Sequence, residues 1–278
     1  MSASDPGPDH AGWDTHVHVF DAAAPVRPGH YRPAHHPLAD AERAAAAAGC
    51  TRLVLVQPSV YGSDNGVMLQ ALEASAGRHR GVAVVDPAVD DATLDRLHAA
   101  GVRGIRFNLV SPAGHAGDPG PALAALAPRL RARGWHVQWY APAERLPDLL
   151  RWQAGSGLVF VLDHLAGLHA GLAADDPAWS AAEALAAGGA WIKLSGWYRL
   201  RAAPPYDALR PAIRRAAALF GERTLWGSDW PHTAFAPGSA PDPSLLLSPL
   251  RTALGDDALD AVRRRHPRPL YLDEPSPP

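Results

Sequence analysis

Cysteine and lysine are nearly missing from this sequence: each occurs once, as Cys50 and Lys193. A single cysteine excludes an internal disulfide framework and any cluster of cysteine-only metal ligands. Almost all positive charge is therefore arginine, which we read, like the alanine run 44–48, as composition without functional meaning. Neither sign of charge dominates, with 26 Lys+Arg against 28 Asp+Glu and a net charge of −2. That balance argues against a general nucleic-acid or polyphosphate binder, which carries a basic excess. No apolar run approaches the roughly 18 residues of a membrane span. The opening MSASDPGPDHAG has neither a basic nor an apolar signal region, so a cytoplasmic protein is expected. Gly-x-Gly-x-x-Gly after a strand, a Walker Gly-Lys-Ser/Thr and a Gly-x-Ser-x-Gly elbow are all absent.

What is present suits one globular domain. Hydrophobic residues make up 47% and charged residues 19% of 278 positions, a length close to the roughly 250 residues of an α/β barrel. The 28 prolines and 25 glycines cut the chain into short segments. Eight short β-rich runs are expected to be strands: Trp13–Phe20, Arg52–Ser59, Gly81–Asp86, Val102–Asn108, His136–Ala141, Leu158–Leu165, Trp191–Trp197 and Thr224–Pro231. Several are continuously apolar, as for parallel strands covered on both faces. Between them lie stretches of helical period, such as Ala122–Arg133 and Leu209–Phe220. Eight such units predict a single-domain (β/α)8 TIM barrel over residues 11–272, with a flexible N-terminus at 1–10 and a proline-rich tail at 273–278.

A barrel of this kind carries its chemistry at the C-terminal ends of the strands. The first run ends Asp14-Thr15-His16-Val17-His18, and residues two apart on a strand share a face. His16 and His18 can therefore bind one divalent metal or contact one substrate carbonyl. The sixth run ends Asp163-His164 and the eighth Trp226-Gly227-Ser228-Asp229-Trp230-Pro231-His232. Three inward histidines with Asp229 suit the activation of water at a carbonyl; a capping turn is the plainer role for Asp229. Arg106, inside the apolar fourth run, must meet either a substrate anion or an internal carboxylate. Tyr140, Arg199 and Tyr61 are further candidate substrate contacts. Arg106 and Arg199 are expected to hold opposite ends of a ring-sized substrate. Lys193 could suggest a Schiff-base or carbamate lysine, but it lies before its strand's end.

These motifs resemble the amidohydrolase superfamily, within it the branch of 2-pyrone-4,6-dicarboxylate lactonase and related sugar-lactone hydrolases. The pieces are Asp14–His18, Gly101–Asn108, Gly134–Val137, Asp163-His164, Pro205-Tyr206-Asp207 and Leu225–His232, in the family's order across nearly the whole chain. The resemblance implies a barrel hydrolase that opens a carboxylated lactone, with Asp229 as general base and His16, His18 and His164 around the scissile carbonyl. It also implies Arg106, Tyr140 and Arg199 as contacts to substrate oxygens. No metal is required on this reading, or one divalent ion, zinc or manganese, sits on His16, His18 and Asp229; a bridging lysine for a two-metal site has no match.

The chain departs from the lactonase pattern at two cationic positions. Leu-Val-Ser-Pro-Ala-Gly-His follows Asn108, and Leu165-Ala166-Gly167-Leu168 follows Asp163-His164, where that enzyme carries basic residues. Each lost charge-assisted hydrogen bond is worth roughly 1.5–3 kcal/mol. The expected substrate therefore carries one carboxylate, or hydroxyls in place of the second, unless His115 or another loop compensates. Two alternatives stand beside this reading: a metal-dependent decarboxylase of the same superfamily, and a non-catalytic barrel that binds carboxylated metabolites. The expected partner is a small molecule, with no nucleic acid or membrane.

Overall fold

The computed structural model describes residues 11–28, 31–233, 235 and 239–272. The expected flexible segments, 1–10 and 273–278, lie outside the described residues. Eight parallel strands follow one another around a barrel in chain order. They are β1 (Trp13–Val17), β2 (Arg52–Val56), β3 (Arg80–Ala83), β4 (Val102–Asn108), β5 (His136–Tyr140), β6 (Phe160–Leu162), β7 (Trp191–Lys193) and β8 (Thr224–Leu225). The last closes on the first where the Thr15 amide donates to the Trp226 carbonyl at 3.0 Å and the Asp229 amide to the His16 carbonyl at 2.8 Å.

Each expected run overlaps its strand, β3 starting one residue before Gly81–Asp86, but β8 is far shorter than Thr224–Pro231. Beyond Leu225 the chain leaves the ladder, and Asp229 turns over with φ 59°. The helices are α1 (Leu38–Ala47), α2 (Gly66–Ala74), α3 (Asp91–Ala99), α4 (Gly120–Ala132), α5 (Leu146–Ser156), α6 (Pro177–Ala187), α7 (Arg210–Phe220), α8 (Ser248–Leu254), α9 (Asp256–Arg264) and α10 (Arg268–Tyr271). Local signals start several of them. Asp90 and Asp176 cap α3 and α6 through side-chain oxygens, and prolines occupy the first turns of α4 to α7.

Apolar residues fall on both sides of the strands. The outward ones, such as Leu53, Leu55 and Ile105, pack beneath the helices, while Val54, Val56, Val82 and Val161 fill the barrel. Tyr271 of α10 plugs the barrel's N-terminal end by stacking on Trp13, their ring centroids 5.7 Å apart. Packed floor and walls leave the C-terminal mouth as the place where polar side chains can meet a ligand. No helix among the described residues is long and apolar enough to cross a membrane.

Candidate active site

The strand period aims the polar residues. On β1, His16 and His18 alternate with Thr15 and Val17 and both reach the mouth, buried. Asp14 anchors the segment: its carboxylate accepts from the amides of His16 and Ser228 at 3.2 and 2.9 Å. On β4 and β5 the same alternation points Arg106, Asn108, Gln138 and Tyr140 inward. Two tight turns complete the ring of groups, because His164 and Asp229 take left-handed backbone conformations at φ 50° and 59°. Such strain in non-glycine residues persists where the surroundings over-determine it, commonly at functional sites. Glycine is required opposite two of the histidines: a Cβ on Gly196 would lie 2.5 Å from His164 Nδ1, and one on Gly227 2.5 Å from His16 Cβ.

Asp229 sits at the centre. Its Oδ1 lies 3.3 Å from His18 Nε2 and 3.6 Å from His16 Nε2. Its Oδ2 accepts from Arg199 Nε and Nη2 at 2.9 and 2.8 Å, and from the Tyr198 hydroxyl. Burial alone would raise the carboxyl's pKa, but the Arg199 guanidinium and the nearby imidazoles outweigh it and hold Asp229 well below the usual carboxylate range. His164 Nε2 lies 3.9 Å from the same Oδ2, and burial lowers its pKa to about 4, so it is neutral at pH 7.

Behind this layer lies a second carboxylate, Asp163, buried on all sides. Its Oδ2 accepts from Arg106 Nε and Gln138 Nε2, both at 3.0 Å. Its Oδ1 faces His16 Nδ1 at 3.2 Å and Lys193 Nζ at 3.4 Å. Lys193 gives its shorter bonds to the Thr15 carbonyl at 2.9 Å and Gln138 Oε1 at 2.7 Å. Held there, the lysine closes the barrel from inside and does not reach the mouth, which removes it as a Schiff-base or carbamate residue.

These contacts set the imidazole tautomers. His18 Nδ1 lies 2.7 Å from the Val56 carbonyl, which can only accept, so Nδ1 carries the proton and neutral His18 has a bare Nε2. His16 Nδ1 lies 3.2 Å from Asp163 Oδ1 and 3.3 Å from Lys193 Nζ, and its Nε2 is buried without a hydrogen-bond partner. His16 Nε2, His18 Nε2 and Asp229 Oδ1 thus converge on one space. His16, His18 and Asp229 place their ligand atoms within 4.8 Å of one another, which fits one divalent ion. His16, Asp163 and His164 form a second such group; there Asp163 Oδ1 lies 3.4 Å from the Lys193 ammonium, whose charge opposes a cation.

The mouth cavity is lined by His18, Arg106, Tyr140, His164, Arg199 and Asp229 among others. Most of the expected residues therefore meet, with one correction. Tyr61 is not among them: it packs on Phe20 with ring centroids 5.9 Å apart, and its hydroxyl is used up by the backbone of Asp21, donating to O at 3.0 Å and accepting from N at 3.1 Å. Of the two roles left open for Arg106, the structure holds the internal ion pair, made through Nε. The guanidinium carbons of Arg106 and Arg199 lie 5.5 and 5.9 Å from one ring, that of Tyr140. Sequence reasoning passed over Tyr198, Asn108, Ser59 and Gln138. For Asn108 and Gln138 the signal was available, as polar residues in phase with Arg106 and Tyr140; Tyr198 carried none.

Comparison with known proteins places this geometry. Residues 13–271 match the Amidohydrolase family. A 2-pyrone-4,6-dicarboxylate hydrolase of Comamonas testosteroni is 33% identical over 250 residues, covering 84% of this chain and 81% of the relative. A 4-sulfomuconolactone hydrolase of Rhizobium radiobacter is 33% identical over 266 residues, covering 89% and 85%. Among solved structures, a probable 2-pyrone-4,6-dicarboxylic acid hydrolase of Acinetobacter baumannii with citric acid bound superposes with a TM-score of 0.83 at 26% identity, covering 94% of this chain and 98% of that one.

Proposed function

This chain belongs to the amidohydrolase family, and from that premise we propose that it hydrolyses a carboxylated lactone with Asp229 as the base for the attacking water. The observation that carries the proposal is a single ionised carboxylate ringed by three imidazoles in a cavity that also presents two guanidiniums. The lactone hydrolases among its relatives support the same reaction.

Arg106 spends only Nε on Asp163, so its terminal nitrogens are available to a substrate carboxylate. The Tyr140 ring, against both guanidiniums, forms the wall on which a flat or puckered ring rests. Asp229 takes a proton from water as the new C–O bond forms, and returns it to the ester oxygen as the ring opens. His164, accepting at Nδ1 from Ser195 Oγ 3.3 Å away, directs Nε2–H toward the developing oxyanion. Arg199 keeps Asp229 ionised in the free enzyme. A substrate carboxylate that draws Arg199 toward itself loosens that pair and makes the base stronger when it is needed.

His16, His18 and Asp229 would hold at most one divalent ion, zinc or manganese, which when bound supplies Lewis-acid polarisation of the carbonyl. Asp229 is already charge-balanced by Arg199, so chelation is expected to leave most lactone turnover intact. Metal analysis after zinc loading should find no more than one equivalent per chain. Two equivalents, or complete loss on chelation restored by zinc or manganese, would overturn this and favour the decarboxylase alternative.

The test of the proposal is turnover of a carboxylated lactone and its neutral methyl ester by wild type and Arg106→Met, followed as acid released on ring opening. The variant should raise KM at least tenfold more for the acid than for the ester, since only the acid loses an ion pair. Equal losses would make Arg106 purely structural. No hydrolysis of any lactone in a broad panel sinks the proposal.

A further inference from the structure

A second pocket of about 690 Å³ adjoins the catalytic cavity and shares Ser59, Arg106 and Asn108 with it. It lies over the ends of β3 and β4, and nothing in the reaction above uses it. We propose that this pocket is a second substrate subsite that takes an uncharged, hydroxylated arm of the lactone, with Arg27 and Asp86 as its specificity-determining residues. The inference rests on the lactonase reading and extends it from the reacting ring to the rest of the substrate.

Three features carry it. First, Arg27 is held in place without being used. Its amide donates to the Val60 carbonyl at 2.7 Å, and its guanidinium lies flat on Gly62, where a Cβ would come within 2.3 Å of Cζ. Gln57 Nε2 braces that turn by donating to the carbonyls of Gly62 and Asp64 at 3.1 and 2.6 Å. Among the described residues no acceptor takes the Arg27 guanidinium. Second, the charges differ between the two pockets. The catalytic cavity sets Arg199 against Asp229 and leaves the terminal nitrogens of Arg106 for one substrate carboxylate. In the second pocket Arg27 and Asp86 cancel, and burial lowers the pKa of His115, which keeps it neutral at pH 7. A second carboxylate there would gain Arg27 but meet Asp86; a hydroxyl, donor and acceptor at once, satisfies both. Third, the pocket has an apolar floor. Phe107, with His115 edge-on to it at 5.0 Å, lines it against the C–H face of such an arm.

The two pockets meet at Arg106. A substrate held there by its carboxylate can place the ester over Asp229 and send its arm toward Arg27.

The experiment compares three lactones sharing one ring and one ring carboxylate. One carries a dihydroxyethyl arm, one hydrogen in its place, and one an arm ending in carboxylate. Wild type should prefer the dihydroxyethyl compound over the hydrogen compound by about tenfold or more in kcat/KM, the scale of one or two hydrogen bonds. Arg27→Met and Asp86→Ala should each shrink that ratio about tenfold. Gly62→Ala, which keeps the charge but unseats Arg27, should shrink it too. An unchanged ratio in both Arg27→Met and Asp86→Ala overturns the proposal, as does wild-type preference for the carboxylate arm. Calorimetric binding of the three ring-opened hydroxy acids gives the same comparison without turnover. If no lactone is hydrolysed, the reaction proposed above falls, while a wild-type preference for the dihydroxyethyl acid that disappears in Arg27→Met still upholds the subsite. Equal binding of all three acids removes it.

Discussion

Asp229→Asn is expected to lower kcat at least about a hundredfold in a barrel that still folds, the usual contribution of a positioned base. Asparagine keeps the shape and can still accept from the Arg199 guanidinium, but its amide cannot take a proton from water. Because Arg199 and the imidazoles hold the Asp229 pKa well below the carboxylate range against the opposing pull of burial, the base stays ionised in mild acid. Wild-type kcat/KM should therefore show no acid limb near pH 4, where an ordinary aspartate titrates at about 3.9. Near-normal turnover by a well-folded Asp229→Asn protein would take the base role away from this residue.

Asp163→Ala is expected to cost about 3–5 kcal/mol of stability, the penalty for leaving buried charges uncompensated. Arg106 and Lys193, whose side chains are 4% and 0% exposed, would lose their shared counterion. Urea unfolding at pH 7 reads the loss as a lower midpoint at similar slope. A change below about 1 kcal/mol would mean that water or another carboxylate already serves these cations. The pH dependence has a definite sign at both ends. Burial raises the Asp163 pKa, but Lys193, His16 and Arg106 lower it further, to well below 3.8. Its contribution is therefore present above the unfolded pKa and lost as pH falls through the folded one. Lys193 runs the other way. Burial lowers its pKa from 10.5 to about 8, so the folded state sheds a proton the unfolded chain retains, and stability should rise between about pH 8 and 10. With no other lysine in the chain, that rise should vanish in Lys193→Met.

The eight-strand barrel was legible because its signal is local. Runs such as LVLV in β2 are buried on both faces, and that burial writes itself into consecutive residues. Period-two alternation likewise put His16 with His18 on one face before any contact was known. The end of the eighth run was misread because Trp226 and Trp230 extend the β-rich run at both ends, while the backbone between them turns at Asp229. Tyr61 misled in another way. Its position after a strand suits a substrate contact, but a buried phenol takes the nearest backbone partners, here those of Asp21.

By itself the sequence determined which residues could do chemistry and at which end of which strand they would stand, since spacing and periodicity are properties of neighbouring residues. Tertiary structure alone decided how the charges pair. Asp163 meets Arg106 across 57 residues and Lys193 meets the Thr15 carbonyl across 178. No local pattern distinguishes Arg199 bonded to Asp229 from Arg199 open to substrate. Those outcomes depend on which charges share a buried space, because burial makes an unpaired charge costly and so forces each one onto whatever partner the closed barrel brings within reach.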